Sequence, residues 1–157
     1  MVLFLPLKAT EPKYMQLKNN ESNLSFYVVG ISYKKADAKL RGFFSLSPTK
    51  KANLLKQAKA SGIEALLATS TCNRTEVYGM VERPSELIQL LCKNTKGSIE
   101  AFENVAYILK DSDAIEHMFR VGAGLDSQIL GDFEIISQLK ISSKISRKYG
   151  LMDAYLE

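Results

Sequence analysis

The sequence predicts an α+β fold, and three observations carry that prediction. Four short, largely apolar runs, the first of them rich in aromatic and β-branched residues, are too short for helices and read as strands. Two longer stretches between them have helical signals, each opening on a proline at the first helical position. Two further helical stretches follow the last strand with no strand between them.

The elements follow in order along the 157 residues. Residues 1–24 carry Pro6, Pro12 and the polar run Lys18–Asn23, and read as a poorly ordered lead-in. Phe26–Ile31 is a continuous apolar run with Gly30 inside it, the pattern of a buried strand. Ser47-Pro48 is an N-cap followed by proline, and opens a helix through Leu54, Leu55 and Ala58 that stops at Gly62. Ile63–Thr71 is a second strand. Glu76–Val81 is a third, after a tight break around Asn73. Pro84 opens a second helix with Leu87, Ile88, Leu91 and Cys92 on one face. Val105–Leu109 is the fourth strand. Asp113 with Glu116 three residues on has the form of a capping box, and opens a helix that Gly122 and Gly124 end. A last helix runs from about Asp132, with Ile135, Ile136 and Leu139 on one side, to Gly150. The order strand, helix, strand, strand, helix, strand matches a ferredoxin-like split βαβ sandwich with extra C-terminal helices, in one domain over residues 25–150.

Composition narrows the function classes. The chain is 46% hydrophobic and 24% charged, the balance of a globular domain with its own core. Its net charge of +4 permits a polyanionic partner without requiring one. Two cysteines make neither a disulfide framework nor a zinc site, and suggest a reducing, cytoplasmic setting. No histidine and cysteine cluster has metal-ligand spacing, so no metal is expected. No apolar run approaches the ~20 residues that span a membrane. No glycine-rich phosphate loop follows a strand.

Four constellations could carry chemistry. Cys72, in Ser70-Thr71-Cys72-Asn73-Arg74-Thr75-Glu76-Val77-Tyr78, falls where a buried strand ends and the chain turns. It is either a small buried hydrophobe or a presented nucleophile, with Arg74 close enough in sequence to favour its thiolate. Cys92, on an apolar helix face, reads as structural. His117, the single histidine, is either a structural hydrogen-bonder or a proton carrier. Gly124–Glu134 is a polar loop entering a helix. It reads as a capped turn or as a holder of polar substrate groups. Lys140, Lys144, Arg147 and Lys148 share one helical face, as a solvated surface or a track for RNA phosphates.

Taken together, Gly30-Ile31-Ser32, the cysteine segment Ser70–Tyr78, His117-Met118-Phe119-Arg120-Val121 and Gly124-Leu125-Asp126-Ser127 resemble the start of glutamyl-tRNA reductases, in order and spacing over about residues 26–150. The resemblance implies that Cys72 attacks the ester carbonyl of glutamyl-tRNA. The thioester formed is then reduced with NADPH to glutamate-1-semialdehyde for tetrapyrrole synthesis. It places Thr71, Asn73 and Arg74 in the substrate pocket, with Arg74 pairing to the glutamate carboxylate. His117 matches an activity-supporting histidine, and Ser127 and Gln138 match pocket positions. Asp132, Phe133 and Glu134 stand at substrate-binding positions where the family usually has Glu-Pro-Gln. The chain also departs from the pattern at Tyr33, where histidine is usual, and at Ser137, where glycine is common.

The resemblance further implies an NADPH-binding domain and a helical dimerisation domain, neither of them in this chain, which reads as a domain cut from a longer enzyme. NADPH is then the cofactor of the full-length enzyme, with none expected on these residues. Expected partners are glutamyl-tRNA, a second copy through the dimerisation domain, and glutamate-1-semialdehyde aminotransferase. The competing reading is a ferredoxin-like RNA-binding module without catalysis, in which Cys72 is structural.

Overall fold

The computed structural model describes residues 23–154, 156 and 157. The expected lead-in lies outside them except for Asn23 and Leu24. Strand β1 (Ser25–Ser32) leads to two helices, α1 (Ala38–Phe43) and α2 (Pro48–Ala60), and then to the hairpin of β2 (Leu66–Ser70) and β3 (Arg74–Val81). Helices α3 (Pro84–Lys93) and α4 (Ile99–Glu103) precede β4 (Tyr107–Lys110). Helices α5 (Ser112–Gly122) and α6 (Glu134–Lys148) follow. The four strands form one sheet in the order β2-β3-β1-β4, and every neighbouring pair is antiparallel. This is the split βαβ arrangement expected from the sequence.

Both faces of the sheet are covered. Alternate residues of the central strands point to opposite sides. Val29, Ile31, Val77 and Val81 pack with Leu54, Leu55, Leu87 and Leu91 of α2 and α3. Phe26, Val28 and Tyr78 pack with Ala114, Val121, Ile135 and Leu139 of α5 and α6. Burial on both sides explains why β1 reads as a continuous apolar run instead of an alternating one.

The element ends differ from the sequence reading in informative ways. Ser47 caps α2 as expected, its hydroxyl accepting from the Lys50 amide. The capping box at Asp113 does not form. Helix α5 starts at Ser112, and Asp111 stands at its cap with φ 50° and no side-chain cap bond. The Asp111 carboxylate instead accepts from the Phe26 amide at 3.0 Å, tying the start of α5 to β1. Helix α6 begins at Glu134 and not Asp132, whose Oδ1 accepts the Glu134 amide at 2.9 Å. Helices α1 and α4, six and five residues long, were not expected, because neither is long enough to show a periodic apolar face. Strand β3 begins two residues earlier than the sequence suggested, at Arg74.

No helix among the described residues is long and apolar enough to cross a membrane. None of their His, Cys, Asp and Glu side chains group in a way that would hold a metal ion.

Candidate functional site

Cys72 sits at the tip of the β2–β3 hairpin. The last strand pair is Ser70 with Thr75, and the Thr71 amide donates to the Arg74 carbonyl at 2.8 Å to close a four-residue turn. The Thr71 hydroxyl tightens it, accepting from the Asn73 and Arg74 amides at 3.2 and 3.3 Å. Two neighbours hold the turn from outside. The Tyr33 amide donates to the Asn73 carbonyl at 2.9 Å, and Arg41 Nε donates to the Cys72 carbonyl at 3.0 Å. The result is an exposed thiol on a rigid backbone.

Beside it lies a cavity of about 200 Å³, lined by Ser70, Thr71, Cys72, Asn73, Arg74, Ser127, Asp132, Glu134, Ile135 and Gln138. It is smaller than the roughly 300–1,000 Å³ of sites for drug-sized ligands, and suits a single small group. Thr71, Cys72, Asn73, Arg74, Ser127, Asp132, Glu134 and Gln138 are therefore brought together as the sequence suggested. Phe133 is not: its side chain is 84% exposed and does not line the cavity. His117 is not among the lining residues either.

His117 belongs to a buried polar cluster behind the cavity. Arg74, Glu76 and Tyr78 occupy alternate positions of β3 and so share the sheet face under α5. Glu76 is fully buried. Its Oε1 accepts from Arg74 Nη1 at 3.1 Å, the Tyr107 hydroxyl at 2.5 Å and His117 Nε2 at 2.6 Å, and its Oε2 accepts from the Tyr78 hydroxyl at 2.7 Å. A carboxylate only accepts, so Nε2 of His117 carries the proton. The other ring nitrogen faces Asp126 Oδ2 at 4.0 Å.

Arg74 is only 3% exposed, and its Nη2 donates to the Asp126 carbonyl at 2.5 Å. Its guanidinium is thus directed to Glu76 and Asp126, and the cation that reaches the Cys72 backbone is Arg41.

The cluster's protonation follows from these contacts. Burial by itself raises the Glu76 pKa. The His117 hydrogen bond, the His117 and Arg74 charges and the Tyr107 hydroxyl outweigh it and hold the carboxyl below its ordinary value. Burial opposes the charge on Arg74, but Glu76 keeps its pKa above the ordinary value. Burial first, and then Glu76, push the Tyr78 and Tyr107 phenols up, so both remain donors. Asp126 resists a smaller burial cost and is held below its ordinary value, chiefly by Lys34 at 2.7 Å.

Glu76, Tyr107 and Arg41 are functional-site residues that the sequence motifs do not single out. Glu76 had a readable signal. A carboxylate inside an otherwise apolar, doubly covered strand must be paired, because an unpaired buried charge is very costly. Tyr107 and Arg41 had none, since their roles depend on strand order and on a helix too short to foresee. Cys92 is half-buried against the core, and burial followed by Glu103 raises its pKa. Lys140, Lys144, Arg147 and Lys148 all lie exposed on α6.

The fold and the cavity define a domain that presents a thiol over a pocket with a buried cation in its wall. The profile of the family described as Glutamyl-tRNAGlu reductase, N-terminal domain, matches residues 29–157, and the chain belongs to that family. It is similar to the glutamyl-tRNA reductase of Christiangramia forsetii, 61% identical over 132 residues, which covers 84% of this chain and 32% of the relative. It is similar to glutamyl-tRNA reductase 2 of Flavobacterium johnsoniae, 57% identical over 143 residues, or 91% of this chain and 33% of the relative. The solved structure of glutamyl-tRNA reductase from Methanopyrus kandleri superposes with a TM-score of 0.68 at 25% identity, over 83% of this chain and 30% of that one. The chain spans about a third of the length of the curated relatives it matches.

Proposed function

We propose that this domain performs the acyl-accepting half of glutamyl-tRNA reduction. The Cys72 thiolate attacks the ester carbonyl that joins glutamate to tRNA. A carbon–sulfur bond forms, the carbon–oxygen bond to the ribose breaks, and the departing ribose oxygen takes up a proton from solvent. Arg74 receives the side-chain carboxylate of the glutamyl group, a task suited to a guanidinium because two parallel N–H bonds match the two carboxylate oxygens. Ser127, Gln138, Thr71, Asn73, Asp132 and Glu134 complete the pocket. His117 supports the reaction by holding Glu76 beneath Arg74. The observation that carries the reading is the exposed Cys72 thiol on the wall of a cavity that also holds the buried Arg74 cation.

Among the described residues, the loop that comes nearest to a phosphate cradle does not suit NADPH. Gly122-Ala123-Gly124 superficially resembles a phosphate loop, but it follows a helix and not a strand. A Cβ on Gly124 would lie 2.8 Å from the Asp132 amide nitrogen, so this glycine closes a loop on itself and forms no cradle for phosphate. Reduction of the thioester to glutamate-1-semialdehyde by NADPH, dimerisation and transfer of the product to an aminotransferase are assigned to other parts of a cytoplasmic full-length reductase. The alternative of an RNA-binding module without catalysis has no support in the family match.

The test uses glutamyl-tRNA labelled in the glutamate. In a full-length reductase carrying this domain and assayed without NADPH, base-labile label should accumulate on the Cys72 peptide. It should be lost in Cys72→Ser, because a serine hydroxyl without an adjacent base is a poor nucleophile at neutral pH. It should persist in Cys92→Ser. Label that survives Cys72→Ser would remove Cys72 from the mechanism.

A further inference from the structure

Arg74 presents its charge to the cavity only as long as something fixes its orientation. A guanidinium has five N–H donors. Arg74 Nη1 donates to Glu76 and Nη2 to the Asp126 carbonyl, so the direction of the remaining donors depends on where the Glu76 carboxylate sits.

Tyr107 reaches Glu76 by an unusual route. In the sheet, Glu76 of β3 pairs with Gly30 of β1, and Gly30 pairs with Tyr107 of β4. The three residues stand abreast across three strands, each about 4.8 Å from the next. Tyr107 extends over the central strand and donates to Glu76 Oε1 at 2.5 Å. It can do so because the residue between them has no side chain. A Cβ on Gly30 would stand 2.8 Å from the Tyr107 hydroxyl oxygen and 2.9 Å from Glu76 Cγ. The Tyr107 ring also lies against His117, with centroids 5.0 Å apart, so it steadies both supports of the carboxylate. A tyrosine on an edge strand with only a packing role would need neither the gap at Gly30 nor a bond to a buried charge.

We propose that Tyr107 is a positioning residue for substrate selectivity: by holding Glu76 across Gly30 it fixes the Arg74 guanidinium in the cavity wall, so that the site takes the side-chain carboxylate of a glutamyl ester and rejects the neutral amide of a glutaminyl ester. The inference rests on the reading of Cys72 and Arg74 above.

The experiment compares kcat/KM of a full-length reductase carrying this domain for one tRNA charged with glutamate and the same tRNA charged with glutamine. Tyr107→Phe removes the hydroxyl and keeps the ring. It should lower kcat/KM for the glutamyl ester about tenfold, the order expected for one hydrogen bond to a charged group. The glutaminyl ester should be nearly unaffected, so the ratio of the two collapses. Tyr107→Gln, which keeps an N–H donor, should retain more of the ratio than Tyr107→Phe. It also serves as the readout if the phenylalanine variant melts below the assay temperature. A role in packing alone would lower both esters together, and an unchanged ratio in both variants would overturn the proposal. Wild-type enzyme that shows no preference for the glutamyl ester would overturn the reading of Arg74 itself, a result distinct from an unchanged ratio in the variants.

Discussion

Replacing Glu76 with glutamine isolates the electrostatic core of the site, because the two side chains have nearly the same shape. The carboxylate accepts three donors at Oε1 and one at Oε2. A glutamine amide can place its oxygen where Oε1 stood and keep those three bonds. Its nitrogen then faces Tyr78, whose hydroxyl can turn to accept. Few hydrogen bonds need be lost, and the main loss is the negative charge beside a guanidinium that is 3% exposed. Removing one member of a buried ion pair costs about 3–5 kcal/mol, and here Asp126 Oδ2, 3.9 Å from Arg74 Nη1, still offsets part of the charge. The retained hydrogen bonds put Glu76→Gln at the lower end, about 3 kcal/mol, or a fall in melting temperature on the order of 10 °C. The effect also depends on pH. The folded-state pKa of Glu76 is lowered, so its contribution is fully present above the unfolded value of about 4.3 and is lost as pH falls through the folded value. Asp126 contributes with the same sign in both proteins, so the quantity to follow is the difference between wild type and Glu76→Gln. Urea denaturation of the chain at pH 7 and at successively lower pH should show that difference near 3 kcal/mol and then narrowing below about pH 4. A difference within ~0.5 kcal/mol at pH 7, or one that stays constant into acid, would refute the assignment of Glu76 as an ionised, charge-balancing group.

Two further outcomes are expected. In Gly97→Ala the new Cβ would stand 2.0 Å from Cε1 of the fully buried Phe44, so thermal melting should show a loss of about 1–3 kcal/mol or more, whereas Gly42→Ala, which meets nothing within 4 Å on α1, should be neutral or slightly stabilising; equal effects would contradict the packing. Cys72 should alkylate with iodoacetamide much faster than Cys92 at pH 8, because Cys72 is exposed while Cys92 is half-buried with its thiol pKa pushed up by burial and Glu103; mass spectrometry of peptides after timed quenching reads the ratio, and comparable rates would mean that the hairpin tip is not held open.

The sheet was legible because β1, β2 and β3 are largely buried on both faces, and because α2 and α3 open on prolines at the first helical position. Val28, Val29 and Ile31 declare β1 whichever face each one joins, and Ser47-Pro48 marks the start of α2. What escaped were features set by distant partners. The carboxylate of Asp111 could have capped a helix, but it bonds instead to Phe26, 85 residues away, and the box centred on Asp113 does not form. Helix α1 has no buried residue to give it a periodic face, yet it carries Arg41 to the Cys72 carbonyl.

The site divides along the same physical line. Residues that line the cavity come from two continuous segments, the Cys72 hairpin and the entry to α6, and each segment is visible as a local pattern. The groups that set the charge of the cavity come from two strands and a helix, and the sheet register brings Glu76 and Tyr107 abreast across Gly30 of the strand between them. Local sequence can show that a carboxylate lies in an apolar strand, and so that it needs a partner. It cannot show that the partner reaches over a glycine in the neighbouring strand. This also changes the meaning of Arg74. Two residues from Cys72 in sequence, it reads as a cation that favours the thiolate. Folded, it is buried against Glu76, and its charge is balanced before any substrate arrives. In the proposed reaction a glutamyl carboxylate would compete with Glu76 for the same guanidinium, and the Tyr107 and His117 bonds, which draw charge density from Glu76 Oε1, would favour the substrate in that competition.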